Sequence, residues 1–272
     1  DEAVPGDLIL LRAGETFVGH YTLRAKSGGS SDYITIRSDA PDSSLPAPGV
    51  RLVPEGRSGA NVSLSALARL LGRGGSWQST PLIMTEPGAH NYRLQFLDVD
   101  GAANQGYETL IQLGENSSSQ NADNVPYGIV LDRLYVHGHP IKGMKRGVAL
   151  DSAATDVLNS YFSEFMSDAD AQAIAGFNGP GPFRIINNFL EATGENVMFG
   201  GSDPRTPYLV PSDIQISGNS VSKRLEWRNP VLAAPSGLTG SSGGGGVLGA
   251  GTHYFKVAAV LYSGGSDCGS AA

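Results

Sequence analysis

Histidine, lysine, arginine and carboxylate side chains concentrate in short segments of the second half of the chain. Each segment follows an apolar run, and the runs end at Val136, Phe162, Leu190 and Val221. The first segment, 137–146, is basic, whereas the next two, 163–172 and 191–195, carry mostly carboxylates. Side chains of these types in one cleft could cleave an acidic polysaccharide by β-elimination. A lysine or histidine would remove the proton α to a uronate carboxylate, and an arginine or a metal ion would neutralise that carboxylate.

Residue type assigns a candidate role to nine of these side chains. The catalytic candidates are Lys145, Arg146 and His137. The substrate-binding candidates are His139, Lys142 and Glu191. The metal-binding candidates are Asp168, Asp170 and Glu195. Calcium is the ion that such carboxylates suit, because it is a hard cation that takes oxygen ligands. Whether calcium is bound stays open at this stage.

Each candidate also has a structural alternative. His137 and His139 flank a glycine and can be ordinary turn residues. The basic residues of 142–146 can form a solvated loop. Asp168 and Asp170 can cap a turn, and Glu195 can be a buried carboxylate that accepts backbone N–H groups. The sequence leaves both interpretations open.

The elements that must position these side chains form a repeat. The four apolar runs end at positions spaced 26, 28 and 31 residues apart, and shorter apolar runs recur between them. Self-similarity at this period indicates a stacked repeat protein. Loops that follow equivalent runs then lie above one another, about 5 Å per repeat, so residues distant in sequence become neighbours.

The runs are strands rather than helices. They are short and rich in Val, Ile and Phe, turn-forming residues separate them, and the chain has 37 Gly and 16 Pro. The sequence therefore predicts an all-β fold, a parallel β-helix. Asparagines at the bends, Asn159, Asn187 or Asn188, and Asn219, fit an internal ladder because asparagine tolerates left-handed backbone and hydrogen-bonds along the stack.

One segment of the N-terminal part is predicted to be helical. In 63–72 the four leucines can share one face, with Ser63 as the N-cap and Gly72 as the stop. Such a short helix could cover an end or a side of the β-helix, which must avoid edge pairing.

The opening segment VPGDLILLRAGETFVGHYTL, residues 4–23, resembles the first coil of right-handed parallel β-helix proteins of the pectate-lyase type. The resemblance extends over about residues 4–228. It implies a right-handed parallel β-helix, and it leaves the reaction open because this scaffold carries lyases, hydrolases, epimerases, phage-tail depolymerases and inert adhesins. The segment GENVMFGG, 194–201, resembles a region of the alginate lyase and chondroitinase B group.

Hydrolysis is the alternative reaction. It needs two carboxylates about 5–9.5 Å apart, which Asp168 or Asp170 could form with Glu191 or Glu195. The Asn-Thr-Asp, Asp-Asp, Gly-His-Gly and Arg-Ile-Lys pattern of polygalacturonases is absent from the chain, which counts against pectin hydrolysis.

The composition changes after the β-helix, which we expect to span 1–229. Residues 230–251 are predicted to be a Gly/Ser-rich linker. Residues 252–272 open with an alternating strand that resembles a strand of bacterial fibronectin-type-III-like modules. A complete module takes roughly 100 residues. We therefore expect a truncated module, or a strand that pairs with the β-helix or mediates self-association.

Composition limits the partners. A formal net charge of −7 argues against nucleic acid, and the single cysteine, Cys268, excludes an intrachain disulfide. No apolar run reaches the roughly 18 residues that span a bilayer. Low charge with abundant Gly, Ser and Asn is common in extracellular β-solenoids, so we expect a secreted protein.

Two functions follow from these observations. The first is a secreted carbohydrate-active enzyme, lyase-like, that acts on an acidic polysaccharide. The second is a non-catalytic surface, filament or adhesin protein in which the β-helix serves as a rigid rod.

Overall fold

A computed structural model describes residues 2–28, 30–74, 80–102, 109–167 and 170–227. Almost all regular structure in this part of the chain is β-strand. Within it, no helix combines the length and the apolar character needed to cross a membrane.

The described residues contain twenty strands in three parallel sheets, here named A, B and C. Sheet A contains, in spatial order, β1 (Leu8–Leu11), β4 (Ile34–Ser38), β7 (His90–Gln95), β10 (Tyr127–Asp132), β13 (Ala153–Leu158), β16 (Gly181–Ile186) and β19 (Ile214–Ser217). Sheet B contains β2 (Thr16–Val18), β5 (Ala68–Leu71), β8 (Leu97–Asp100), β11 (Tyr135–His137), β14 (Tyr161–Phe165), β17 (Phe189–Ala192) and β20 (Ser220–Ser222). Sheet C contains β3 (Tyr21–Leu23), β6 (Ile83–Thr85), β9 (Ile111–Gly114), β12 (Arg146–Asp151), β15 (Gln172–Gly176) and β18 (Glu195–Phe199).

Consecutive strands visit the three sheets in turn, and each strand pairs in parallel with the strand three places along the chain. We call each set of three consecutive strands a coil. Three parallel sheets connected in this way fit the parallel β-helix that the sequence predicts. The right-handed sense of the coil stays a prediction.

The repeat positions form one column of sheet B. Val136 is paired in register with Phe162, Phe162 with Leu190, and Leu190 with Val221. The first three are fully buried in the core between the sheets, whereas Val221, in the last described coil, is 64% exposed. The predicted inward-facing column is therefore confirmed for Val136, Phe162 and Leu190.

The asparagines line the corner between sheets A and B. Asn159 and Asn187 have φ angles of 51° and 57°, and Asn187 Nδ2 donates to Asn159 Oδ1 over 2.9 Å. Beside them, Asn188 Nδ2 donates to Asn219 Oδ1 over 3.1 Å. The expected polar ladder is present, since asparagine side chains of successive coils hydrogen-bond to one another along the stack.

The helix predicted for 63–72 is wrong. Ser63 does cap a helix, since its side chain accepts from the Ser65 backbone N–H, but that 3₁₀ helix covers only Leu64–Ala66. The residues that follow are strand β5, which lies between β2 and β8 and exchanges backbone hydrogen bonds with both. Pairing on two sides outweighs the helical spacing of the leucines, because an isolated helix of two turns is marginal in water.

A long connection between β4 and β5, here called the 41–62 loop, runs along the corner between sheets A and B. The Arg51 side chain donates to Asn187 O over 2.9 Å and to Gly218 O over 2.8 Å. The backbone N–H of Leu52 donates to Asn159 O over 2.8 Å, and the Leu52 side chain is fully buried. The loop thus touches several later coils and reaches the outer face of sheet B.

The chain divides into two compact units, Asp1–Lys223 and Arg224–Ala272. Described residues of the second unit form a short 3₁₀ helix, Leu225–Trp227, and the Arg224 guanidinium lies 4.9 Å from the centre of the Trp227 ring system. The predicted linker at 230–251 and the fibronectin-like strand at 252–272 lie outside the described residues.

Candidate functional site

The outer face of sheet B carries a cluster of ionisable side chains. Strand pairing aligns Arg69, Asp98 and Tyr135 in one column, and Asp100 and His137 in the next. Their positions alternate with the inward-facing Leu70, Val99 and Val136 along each strand, so the polar side chains point away from the core.

These side chains line an open cleft of about 480 Å³. The lining consists of Gly14, Thr16, Leu64, Ser65, Leu67, Arg69, Asp98, Asp100, Tyr135 and His137. The residues before and within the first strands of sheet B form one wall, and the Asp98–His137 group forms the other. We call this the sheet-B cleft.

His137 is a buried cation between carboxylates. Its Nε2 lies 3.0 Å from Asp98 Oδ1, and its Nδ1 lies 3.1 Å from the Gly138 carbonyl oxygen and 3.6 Å from Glu164 Oε2. Both ring nitrogens therefore face acceptors, which only the doubly protonated imidazolium satisfies. Burial lowers the pKa of His137, but the hydrogen bonds to Asp98 and Glu164 outweigh burial and hold that pKa well above its ordinary value.

Arg69 is the most exposed cation of this group. Its Nε donates to Asp100 Oδ2 over 2.8 Å, a second guanidinium nitrogen bonds the same oxygen, and the Asp98 carboxylate lies 3.9 Å away. The Arg69 side chain is 42% exposed, whereas both carboxylates are buried. Its remaining guanidinium edge can therefore bind an anion in the cleft.

Arg57, from the 41–62 loop, completes the group from the side. It donates to Glu164 Oε1 over 2.6 Å, and the same nitrogen lies 3.5 Å from the Tyr135 hydroxyl. Burial lowers the pKa of Arg57, but the hydrogen bonds to Tyr135 and Glu164 outweigh it and raise the pKa. The Tyr135 ring in turn stacks on His137 with centroids 4.2 Å apart. Tyr135 therefore lies between two cations.

The backbone is irregular at Glu164. Its φ is 67°, and the pairing between β14 and β17 shifts register between Phe162 and Phe165. The extra residue turns the Glu164 carboxylate towards Arg57 and His137, and its backbone N–H donates to Glu191 Oε1 over 3.1 Å. Bulges of this kind commonly re-aim a side chain next to a functional site.

Ligand atoms of Asp98, Asp100 and His137 lie within 4.8 Å of one another, a separation that a metal ion could bridge. The charges argue against a metal at this position. Arg69 already neutralises Asp100, and the His137 nitrogen that would coordinate carries the proton shared with Asp98. The three side chains instead form an ion-pair network with Arg69.

A second polar cluster lies at the first residues of three neighbouring strands of sheet C. Arg146, Gln172 and Glu195 are paired in register on adjacent strands. The Arg146 guanidinium donates to Gln172 Oε1 over 3.0 Å and lies 5.0 Å from the Phe177 ring centre. We call Lys145, Arg146, Asp170, Gln172 and Glu195 the sheet-C cluster.

The sheet-C cluster also holds two carboxylates predicted to bind a metal. Gln172 Nε2 donates to Asp170 Oδ2 and to Glu195 Oε2, each over 2.9 Å, and Lys145 Nζ lies 3.6 Å from Asp170 Oδ1. The hydrogen bond from Gln172 lowers the pKa of Asp170, with a further contribution from Lys145. The third candidate, Asp168, lies outside the described residues.

The structure therefore divides the predicted site between two clusters. His137 lies in the sheet-B cleft, and the buried Glu191 lies on the same sheet two strands away, whereas Lys145 and Arg146 belong to the sheet-C cluster. His139 lies in the connecting loop, where its Nδ1 accepts the backbone N–H groups of Ile141 and Lys142 over 3.0 and 3.1 Å. The Lys142 side chain is exposed.

Sequence reasoning missed several residues of the cleft, namely Arg57, Arg69, Asp98, Asp100 and Tyr135. A signal was present for some of them. In LDVD (97–100) and YVH (135–137), polar or aromatic residues alternate with valine, which places them on the outer face of a strand. For Arg57, which lies in a loop without periodicity, the sequence contains no comparable signal.

No family model and no curated protein matches this chain. Among solved structures, the chain is similar to an alginate lyase from Paenibacillus sp. str. FPU-7, with a TM-score of 0.38 and 18% sequence identity. The match covers 82% of this chain and 69% of the alginate lyase.

Proposed function

We propose that this chain is a carbohydrate-active β-helix protein that cleaves an acidic polysaccharide by β-elimination in the sheet-B cleft. The observation that supports this proposal is the open cleft that the solvent-reachable guanidinium of Arg69 lines together with His137 and Tyr135. Substrate class and reaction follow from the chemistry of these three side chains.

Arg69 is the residue that binds the uronate carboxylate. A planar guanidinium matches a carboxylate in a bidentate arrangement, and Asp100 fixes the other edge of the guanidinium. Neutralising that carboxylate makes the α proton of the sugar more acidic. His137, as a fixed imidazolium, adds positive charge beside the same position.

Tyr135 is our candidate for the base. Its oxygen, as the phenolate, would take the proton at C5 of the uronate and become a phenol, the electron pair would form the C4–C5 double bond, and the C4–O bond would break. The leaving oxygen would then receive a proton, which Tyr135 can return. Arg57 and His137 provide positive charge beside the phenolate from which this step begins, and the phenol that results carries the proton.

The sequence assigned proton removal to Lys145 or His137 and carboxylate neutralisation to Arg146, and the Lys145 assignment stays as a second proposal. Lys145 contacts Asp170, and the Arg146 guanidinium is engaged by Gln172 and Phe177. Calcium also stays a proposal. Asp170 and Glu195 offer carboxylate oxygens of the kind that calcium takes, with Lys145 as a competing cation.

The test is a screen of uronate polymers, namely alginate, pectate and glycosaminoglycans, with and without a chelator. We expect new ultraviolet absorbance from unsaturated chain ends with at least one polymer. New reducing ends without that absorbance would indicate hydrolysis, and no new ends with any polymer would favour the non-catalytic rod. A loss of rate on adding the chelator would support calcium.

The variant Lys145→Ala separates the two assignments of the base. If Lys145 is the base, turnover disappears while the protein stays folded. If Tyr135 is the base, Lys145→Ala keeps its turnover and Tyr135→Phe loses it. Circular dichroism of each variant checks that the fold is intact. Secretion stays a prediction from composition.

A further inference from the structure

Sheet A carries aromatic rings and arginines that reach the protein surface. At the start of β7 and β10, His90 and Tyr127 are paired in register, and their rings stack with centroids 4.9 Å apart and planes 3° apart. The next partners of Tyr127 along the sheet are Ala153 and then Gly181. Neither has a side chain large enough to cover the other face of the Tyr127 ring, which is 45% exposed.

A second aromatic ring, that of Tyr33 directly before β4, stacks with an arginine of sheet A. The Arg93 guanidinium, on β7, lies 4.7 Å from the centre of the Tyr33 ring. Within the described ranges, Arg93 forms no salt bridge. Stacking fixes the plane of the guanidinium and leaves its N–H edges for a ligand, and a carboxylate is the group that matches them. We call His90, Tyr127, Tyr33 and Arg93 the sheet-A shelf.

The same column of sheet A continues with charged residues. Arg93 is aligned with Val130, Asp156 and Arg184 on successive strands. Asp156 and Arg184 form a bidentate ion pair, with Arg184 Nε 2.6 Å from Asp156 Oδ1. This column therefore has two cations for one carboxylate, in a chain whose formal net charge is −7. The local excess of positive charge favours an anionic ligand.

We propose that the sheet-A shelf binds an acidic saccharide chain, on a different sheet from the cleft in which cleavage is proposed. An exposed aromatic face packs against the C–H face of a sugar ring, and Arg93 binds the carboxylate of a neighbouring uronate. The successive strands present these groups along the coil stack, so an extended polymer can contact several of them. The choice of a uronate as ligand rests on the proposed function, whereas binding to the shelf does not require cleavage.

The experiment uses the full chain carrying Arg69→Ala, so that cleavage does not consume the ligand. Binding of this background to alginate and pectate is measured by affinity electrophoresis, with neutral dextran as the control polymer. Adding Arg93→Gln or Tyr127→Ala is expected to weaken binding to the uronate polymer about tenfold. The matched control, Tyr208→Ala, changes an exposed tyrosine outside the shelf and is expected to leave binding unchanged.

The inference is overturned if Arg93→Gln and Tyr127→Ala bind as tightly as the background, or if the background binds no uronate polymer. These results are independent of turnover, which is measured on the wild-type chain. A wild type that cleaves without shelf binding rejects the shelf alone. Shelf binding without cleavage rejects the proposed function alone.

Discussion

The imidazole of His137 lies between carboxylates from different coils, Asp98 on β8 and Glu164 on β14. Its two N–H groups have acceptors on both sides, and Arg57 and Arg69 balance the remaining negative charge. Removing one partner from such a buried, hydrogen-bonded group destabilises the fold, because it leaves another charge uncompensated. The network of ion pairs therefore holds the side chains of the cleft wall in fixed positions.

The raised pKa of His137 predicts a pH-dependent contribution to stability. We expect His137→Gln to lower the free energy of unfolding by about 3–5 kcal/mol below about pH 6.5, where the unfolded histidine is also protonated. Because the folded-state pKa is raised, this difference from wild type should shrink as pH rises through that pKa. Urea unfolding at several pH values measures it.

Ser163→Ala is the control for this prediction. Ser163 is paired in register with His137, is fully buried, and its hydroxyl makes no hydrogen bond, but it carries no titrating group. Its effect on unfolding should therefore be the same at every pH. A His137→Gln effect that grows with increasing pH would contradict the assigned charge state.

The sequence predicted only some of the residues that line the cleft. His137 could be found because it follows the repeat anchor Val136, and the repeat places its neighbours on adjacent coils. Arg57 could not, because it reaches Glu164 across 107 residues from a loop whose path no periodicity encodes. Lys145 and His137 were expected together because they share one loop segment, but β12 begins at Arg146 and takes Lys145 and Arg146 to sheet C.

At the scale of elements, the 41–62 loop connects the coils to the cleft. Its central residue Leu52 is fully buried in a small core with Tyr135 and Tyr161, which lie on the outer side of sheet B. Arg51 and Leu52 fix the loop to the asparagine corner, and Arg57 follows five residues later at the cleft. The loop is therefore a structural part of the site.

We expect Leu52→Ala to destabilise the protein by about 2–5 kcal/mol, because it leaves a cavity under the loop. The matched control is Val50→Ala. Val50 is exposed in the same loop and should change stability by no more than about 0.5 kcal/mol. Chemical denaturation measures both, and equal effects of the two variants would show that the loop does not pack as described.

Strand β5 is a segment whose conformation the local sequence pattern predicts wrongly. Leucine spacing favoured a helix at 63–72, yet the segment supplies Arg69 to the cleft as the middle strand between β2 and β8. Pairing partners more than 20 residues away in sequence decide its conformation, and a window of ten residues contains no information about them. The repeat of the later coils was readable because each copy contains its own turn residues.

At the scale of the whole molecule, the stacked coils bury one continuous core. The column through Val136, Phe162 and Leu190 lies in that core, and the sheet-B cleft lies on the outer face of sheet B. Cleavage and binding residues can therefore change without disturbing the core. This separation is why sequence patterning predicts the fold better than the reaction.

Alanine substitution at two positions tests the core column of sheet B. Phe162→Ala should cost about 3–5 kcal/mol, because a large and fully buried ring is removed. Val221→Ala, at the exposed position of the same column, should cost less than about 1 kcal/mol. Thermal and urea unfolding distinguish the two. A Phe162 variant as stable as the Val221 variant would contradict the register of sheet B.

The most direct test of the proposed function compares initial rates of unsaturated-end formation on a cleaved uronate polymer. Arg69→Ala should lower the rate about a hundredfold or more, because the carboxylate of the substrate loses its cation in the transition state. Arg24→Ala, which removes an exposed arginine paired with Glu86 on the surface, should keep the wild-type rate. Equal rates for wild type and Arg69→Ala would contradict cleavage in the sheet-B cleft.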